Sequence, residues 1–99
     1  MNVHVSTEAA EHIRGRGGRL FLWSTPVGRA FVRDHLAFAP PAEPVEFACR
    51  SRRGVDVCVA QDVGAREVLV RTPRRPLRGL RVHVDGKRWG WRGGAAGSG

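Results

Sequence analysis

The sequence predicts an α+β domain made mostly of antiparallel β-sheet, with six to eight short strands, two hairpins and one short N-terminal helix. Three observations predict this fold class. Short segments in which apolar and polar residues alternate recur along most of the chain. Two glycine-containing turn signals separate pairs of such segments. Helical spacing of apolar residues occurs in one segment, close to the N-terminus.

The helix is predicted between a first strand and a run of glycines. Val3 and Val5 alternate with polar neighbours, which is typical of a strand. Ser6 or Thr7 can then cap a helix, and Gly15 is expected to end it. The apolar residues of this helix fall on one face and predict its buried side: Ala9, Ala10 and Ile13.

The middle of the chain predicts further strands. Residues 19–24 carry large apolar side chains at successive positions and predict a strand buried on both faces. Residues 25–28, which contain a proline and a glycine, are expected to end that strand. Further strands are predicted at 30–33, 36–39 and 67–71.

A first hairpin is predicted at residues 45–59, with a three-residue loop that ends at Gly54, where a left-handed backbone suits glycine. This loop pairs Cys49 with Val57 and places Cys49 and Cys58 on opposite faces of the hairpin. The prediction therefore excludes a disulfide between the two cysteines and a metal that they share within one chain. We expect Cys49 to be a small core residue and Cys58 to be a half-exposed thiol.

A second hairpin is predicted around Asp85-Gly86, a type I′ turn signal that pairs Val82 with Trp89. One face of this hairpin is expected to enter the core: Leu80, Val82, Val84, Trp89 and Trp91. The other face is polar and basic: Arg81, His83, Arg88 and Gly90.

Positive charge is concentrated in the second half of the chain. The net charge of +8 arises from 17 basic and 9 acidic residues, and residues 50–99 carry twelve of the basic residues but four of the acidic ones. Such asymmetry is typical of binding to nucleic acid or to an acidic partner. The candidate anion- or nucleic-acid-binding residues are Arg71, Arg74, Arg75, Arg78, Arg81, Lys87 and Arg88. The alternative is codon bias of a GC-rich bacterial genome, because all the basic residues except Lys87 are arginine.

The sequence contains no motif of an enzyme. The glycines at 15–18 follow a helix and precede a strand, which is the reverse of a phosphate-binding loop. The two cysteines and four histidines do not occur at the spacing of a metal site. We therefore expect no catalytic residues, no metal ligands and no cofactor.

Domain organisation and location are predicted from composition. Residues 1–92 are expected to form one domain, and the Gly/Ala/Ser-rich residues 93–99 a disordered tail. No signal peptide and no apolar run of membrane-spanning length are visible, so we expect a cytoplasmic protein with no membrane partner. Its partner would be an unidentified protein or acidic molecule, or nucleic acid bound by the basic half.

Residues 3–23 resemble the opening of a known family. A Val-x-Val strand is followed by the segment Ser6-Thr7-Glu8-Ala9-Ala10-Glu11-His12-Ile13 and then by Gly17-Gly18-Arg19-Leu20-Phe21-Leu22-Trp23. This order resembles HesB-like proteins, the A-type iron–sulfur assembly proteins, and implies their fold. The family's cluster ligands are one cysteine after the Gly-Gly strand and a Cys-Gly-Cys near the C-terminus. The corresponding segments here read Thr25-Pro26-Val27-Gly28 and Gly90-Trp91-Arg92-Gly93-Gly94, without cysteine.

Three functional hypotheses follow. The first is a small non-catalytic binding or scaffold domain of HesB-like type that lacks the cluster ligands. The second is a basic protein that binds nucleic acid without sequence specificity. The third is metal or Fe–S binding in a dimer that brings Cys58 and histidines of two chains together.

Overall fold

A computed structural model describes residues 1–73 and 79–90 of the chain. Within these two ranges, one helix, α1 (Thr7–Arg14), and a short 3-10 helix (Gln61–Val63) accompany eight strands. The strands are β1 (Asn2–Val5), β2 (Arg19–Val27), β3 (Phe31–Ala37), β4 (Phe47–Arg52), β5 (Val55–Ala60), β6 (Glu67–Arg71), β7 (Arg81–Val84) and β8 (Lys87–Arg88). The predicted α+β class, dominated by strands and with one short N-terminal helix, is confirmed. The predicted disordered tail at 93–99 lies outside the described residues.

The strands form two four-stranded sheets around a shared core. Sheet A has the order β1-β6-β7-β8, and sheet B has the order β3-β2-β5-β4. β1 pairs with β6, and β2 with β5, in parallel, while the other four pairs are antiparallel. The core contains side chains from both sheets and from α1: Val3, Val5, Ala9, Ala10, Ile13, Leu20, Leu22, Val55, Val57, Val59, Val68, Val70, Val82, Val84 and Trp89. Each sheet thus has an inner face in the core and an outer face that points away from it.

The helix begins and ends where the sequence predicts. Ser6 is the N-cap, and its side chain accepts a hydrogen bond from the backbone N–H of Ala9 at 3.1 Å. Gly15 is the C-cap. The predicted apolar face, comprising Ala9, Ala10 and Ile13, is fully buried. α1 packs against β6 of sheet A and against β2 and β5 of sheet B, so this short helix depends on tertiary contacts.

The strand predicted at residues 19–24 does not end at residues 25–28, so that prediction was wrong. β2 continues through Val27, with Pro26 opposite Val32 of β3, and β3 is one strand over both predicted segments. Beyond Leu22, β2 has β3 as a partner but is no longer paired with β5. A proline, which lacks an N–H, is tolerated where one side of a strand has no partner strand.

The first hairpin turns through two residues and not through three. Arg53 and Gly54 both have positive φ, 52° and 77°, which is the backbone of a type I′ turn. Gly54 is left-handed as predicted, but the shorter loop moves the register by one residue. Cys49 consequently pairs with Cys58 and not with Val57. A slip of one residue moves every side chain of a strand to the other face.

The structure therefore corrects the interpretation of the two cysteines. Cys49 and Cys58 lie directly opposite each other on the outer face of sheet B, with Cα atoms 4.0 Å apart, and they form a disulfide. Cys58 is buried and Cys49 is exposed, which is the reverse of the predicted burial. The predicted exclusion of a disulfide was wrong because it depended on the three-residue loop.

The second hairpin agrees with its prediction. Asp85 and Gly86 have φ of 51° and 83°, and Val84 pairs with Lys87. The N–H of Trp89 donates to the carbonyl of Val82 at 2.8 Å, and the Trp89 side chain is buried. Trp91, which is also predicted to enter the core, lies outside the described residues. No helix in the described ranges is long and apolar enough to span a bilayer.

Candidate nucleic-acid interface

The outer face of sheet A carries a cluster of basic side chains, here called the basic face and defined as Arg71, Arg81, His83 and Arg88. Arg71 on β6 pairs with Arg81 on β7, and His83 on β7 pairs with Arg88 on β8. Directly paired residues on neighbouring strands point to the same side of a sheet, about 5 Å apart at Cβ. The sheet register therefore brings three of the seven predicted arginine and lysine positions together around one histidine.

The other predicted positions do not join this cluster in the structure. Lys87 pairs with Val84, a core residue, and so lies on the opposite side of the hairpin from Arg88. Arg74, Arg75 and Arg78 lie outside the described residues.

Two buried nitrogen atoms of the basic face have no hydrogen-bond partner within the described part of the chain: Nε of Arg81 and Nδ1 of His83. Burial of the imidazole lowers the pKa of His83, and the charges of Arg71, Arg81 and Arg88 lower it further. The three guanidinium groups that lower this pKa give the basic face a positive local potential. An anion bound here would relieve that potential and would raise the pKa of His83.

The acidic groups of the same face lie at its other end and are already occupied. Glu67 is 3.7 Å from the imidazole nitrogen Nε2 of His4. The carboxylate oxygen Oδ1 of Asp85 accepts hydrogen bonds from the backbone N–H groups of Arg66 and Glu67, at 2.9 and 2.8 Å. These two hydrogen bonds hold the pKa of Asp85 below its ordinary value, and the bond from Glu67 has the larger effect. The Asp85 carboxylate thus joins the β7–β8 turn to the start of β6.

Two arginines that the sequence placed in a loop are structural. β1 is an edge strand of sheet A, and its carbonyl groups at Val3 and Val5 receive side chains from the β4–β5 hairpin. Nε of Arg52 donates to the carbonyl of Val3 at 3.0 Å, and Nε of Arg53 donates to that of Val5 at 2.7 Å. Without knowledge of which strand forms the edge, the sequence could not predict these bonds.

An open groove of about 560 Å³ runs along this edge of β1. Its basic lining residues are Arg52, Arg53 and Arg71, and its polar residues include Ser6. Arg71 therefore belongs both to the groove and to the basic face. The groove extends positive charge from the outer face of sheet A around its β1 edge.

Ser24 and Thr25 of β2 each have a partner side chain on β3. Oγ of Ser24 donates to Asp34 at 2.9 Å, and Oγ1 of Thr25 lies 2.8 Å from Nε2 of His35. Successive residues of a strand point to opposite faces, so these two pairs do not form one relay. Among residues 1–73 and 79–90, no three His, Cys, Asp or Glu side chains are grouped to hold a metal ion.

Neither a family model nor a curated protein sequence matches the chain. The resemblance of residues 3–23 to HesB-like proteins thus stays a prediction.

Proposed function

We propose that this chain is a non-catalytic domain that binds the phosphate backbone of nucleic acid, without sequence specificity, through the basic face. The observation that supports this function is the register of sheet A, which places Arg71, Arg81 and Arg88 on one outer face. Arginine forms paired hydrogen bonds to phosphate oxygens, and contacts to phosphates carry no sequence information.

The size of the cluster predicts the strength of the salt dependence. Neutralising two to three phosphates of a duplex gives a slope of log K against log salt of roughly −1.8 to −2.7. Affinity should then fall roughly 10- to 40-fold between 50 and 200 mM salt. Because the cluster is small, we expect the affinity to be weak at ordinary salt.

The experiment is a titration of two fluorescent 20-base-pair duplexes of unrelated sequence, read by anisotropy at several salt concentrations. We expect the two duplexes to bind alike. Arg71→Ala should weaken both and should make the slope shallower by about 0.9. Arg29→Ala is the matched control, because Arg29 is exposed in the β2–β3 loop and its loss changes the net charge equally.

Two results would contradict the proposal. One is equal weakening by Arg71→Ala and Arg29→Ala, because overall charge and not the basic face would then determine affinity. The other is affinity that does not change with salt.

The HesB-like scaffold is a second proposal, and one observation favours it. β1, α1 and β2 follow one another as strand, helix and Gly-Gly strand, the order that the resemblance implies. Metal analysis of the purified, reduced protein tests this proposal against the dimeric metal site. A colourless, metal-free protein is expected of a scaffold without cluster ligands. Since Cys58 is bonded to Cys49, a site that uses the Cys58 thiolate would require reduction of the disulfide.

A further inference from the structure

The outer face of sheet B carries aromatic side chains, whereas the outer face of sheet A carries basic side chains. Residues at odd positions of β2 and β3 share this face, because Trp23 pairs with His35 and Val27 with Phe31. Phe47 of β4 lies on it as well, since it pairs with Ala60 on the side of the Cys49–Cys58 pair. The aromatic face is defined here as Trp23, Phe31, His35 and Phe47.

The rings of the aromatic face are already ordered against one another. The indole of Trp23 and the imidazole of His35 are stacked, with centroids 5.0 Å apart and planes 15° from parallel. Phe47 meets Trp23 edge-on at 6.4 Å. Beneath them, Phe21 packs edge-on against Phe47 at 5.2 Å and is buried. Binding of a further flat ring to this stack would cost the protein little side-chain entropy, because these rings are already held by their neighbours.

The edge of this face is open to solvent. β3 is an edge strand of sheet B, and Phe31 on it is 61% exposed. Val27, opposite Phe31, is 43% exposed. Large exposed apolar groups that adjoin one another mark a binding surface.

The charge of the aromatic face favours an anionic occupant. Arg33 lies between Phe31 and His35 on the same side of β3 and is exposed. Arg19 lies at the other end of the face, with its guanidinium 4.9 Å from the ring centroid of Phe21. Asp56 lies directly opposite Arg19 and offsets its charge, so Arg33 supplies the positive charge near the exposed rings.

We infer that the aromatic face binds single-stranded nucleic acid, with bases stacked on Phe31 and on the Trp23–His35 pair and with phosphates near Arg33. Rings that stack on bases, interleaved with cations that contact phosphates, are the common construction of single-strand binding surfaces. This inference rests on the proposed nucleic-acid binding and adds single strands and a second set of residues to it. The two faces belong to different sheets, so each can be tested alone.

The test uses the full oxidised chain and two fluorescent 12-unit probes, oligothymidylate and an abasic oligomer with the same number of phosphates. We expect the oligothymidylate to bind about tenfold more tightly or better, because stacking on aromatic side chains contributes substantially for each base. Phe31→Ala should weaken oligothymidylate binding about tenfold and leave abasic binding unchanged. Phe31→Trp should retain the preference.

Val32→Ala is the matched control. Val32 is the next residue of β3, is 46% exposed and points to the opposite side of the sheet, so both variants truncate an exposed side chain of the same strand. Equal binding of the two probes by the unmodified protein would overturn the inference. So would equal effects of Phe31→Ala and Val32→Ala.

Failure of this inference differs from failure of the proposed function. If the basic face binds phosphates alone, both probes bind equally and Arg71→Ala weakens both. If the aromatic face is instead a contact between two copies of the chain, Phe31→Ala converts a dimer to a monomer in size-exclusion chromatography without changing oligothymidylate affinity. That outcome too would overturn the inference.

Discussion

The hairpins β4–β5 and β7–β8 both turn through two left-handed residues, but different interactions hold them. In β7–β8, Asp85 occupies the first position, and its carboxylate accepts hydrogen bonds from the backbone N–H groups of residues 66 and 67, at the start of β6. In β4–β5 the first position is Arg53, whose left-handed backbone is unfavourable by about 1–2 kcal/mol. Its side chain binds the carbonyl of Val5, and its own carbonyl accepts a bond from Arg14 at 2.6 Å. Both turns thus have partners distant in the sequence, but the first residue of the β7–β8 turn, Asp85, also tolerates the left-handed backbone well, whereas Arg53 does not.

The strands behind the two turns differ as well. β7–β8 is anchored by Trp89, which is buried in the core and whose Nε1–H donates to the carbonyl of His35 at 2.8 Å. β4–β5 is joined by the disulfide between Cys49 and Cys58 on the outer face. Both hairpins therefore pack on the core, β4–β5 through Val55, Val57 and Val59, but β4–β5 also has a covalent bond between its strands.

The largest expected effect is at the packed hairpin. Trp89→Ala should lower the free energy of unfolding by about 3–5 kcal/mol, because it leaves a cavity in the core and removes the bond to His35. Trp89→Phe keeps most of the ring, so it should cost clearly less. Urea denaturation measures both. A loss for Trp89→Ala no larger than that for Trp89→Phe would show that packing does not anchor this hairpin.

A smaller effect is expected at the covalent hairpin. Replacing both cysteines, Cys49→Ser with Cys58→Ser, should lower the free energy of unfolding by about 2–3 kcal/mol, as expected for the closure of a short loop. Adding a dithiol reductant to the unmodified protein should lower the urea midpoint similarly. The double variant is the control, since reductant should not change its midpoint. If reductant leaves the unmodified protein unchanged as well, the disulfide does not fasten the hairpin.

The smallest effect concerns pH and the β7–β8 turn. The pKa of Asp85 is lowered in the fold, so its contribution to stability is present above the ordinary value of about 3.9 and is lost as pH falls through the lower folded value. Unfolding measured at pH 6 and at pH 3 should show a greater loss for the unmodified protein than for Asp85→Asn, which has no carboxylate to protonate. Equal losses would mean that the Asp85 charge does not support this turn.

The difference between local sequence signals and distant partners explains what the sequence predicted. The cap at Ser6, the end of α1 at Gly15 and the Asp85-Gly86 turn are each indicated by the residue types at those positions, and all three predictions are confirmed. The register at Arg53 depends on Val5 and Arg14, 48 and 39 residues distant, and its prediction was wrong. Because the predicted burial and pairing of both cysteines depended on this register, they were wrong as well.

The candidate sites divide in the same way. The shared face of Arg81, His83 and Arg88 follows from the turn and was predicted. Arg71 joins them through the pairing of β6 with β7, which the spacing of residues did not predict. The aromatic face was missed because Phe31, on β3, and Phe47, on β4, come together with Trp23 only in the order of sheet B. Aromatic residues at separate places in a sequence signal a joint surface only when the strand order is known.

The bonds from Arg52 and Arg53 to β1 also bear on how copies of this chain behave at high concentration. An edge strand with available carbonyl groups can pair with the edge of another molecule and begin an aggregate. Here guanidinium groups occupy the carbonyls of Val3 and Val5 and place positive charge beside them. A second chain would have to displace these bonds and approach like charges, so this edge of sheet A resists strand-to-strand association.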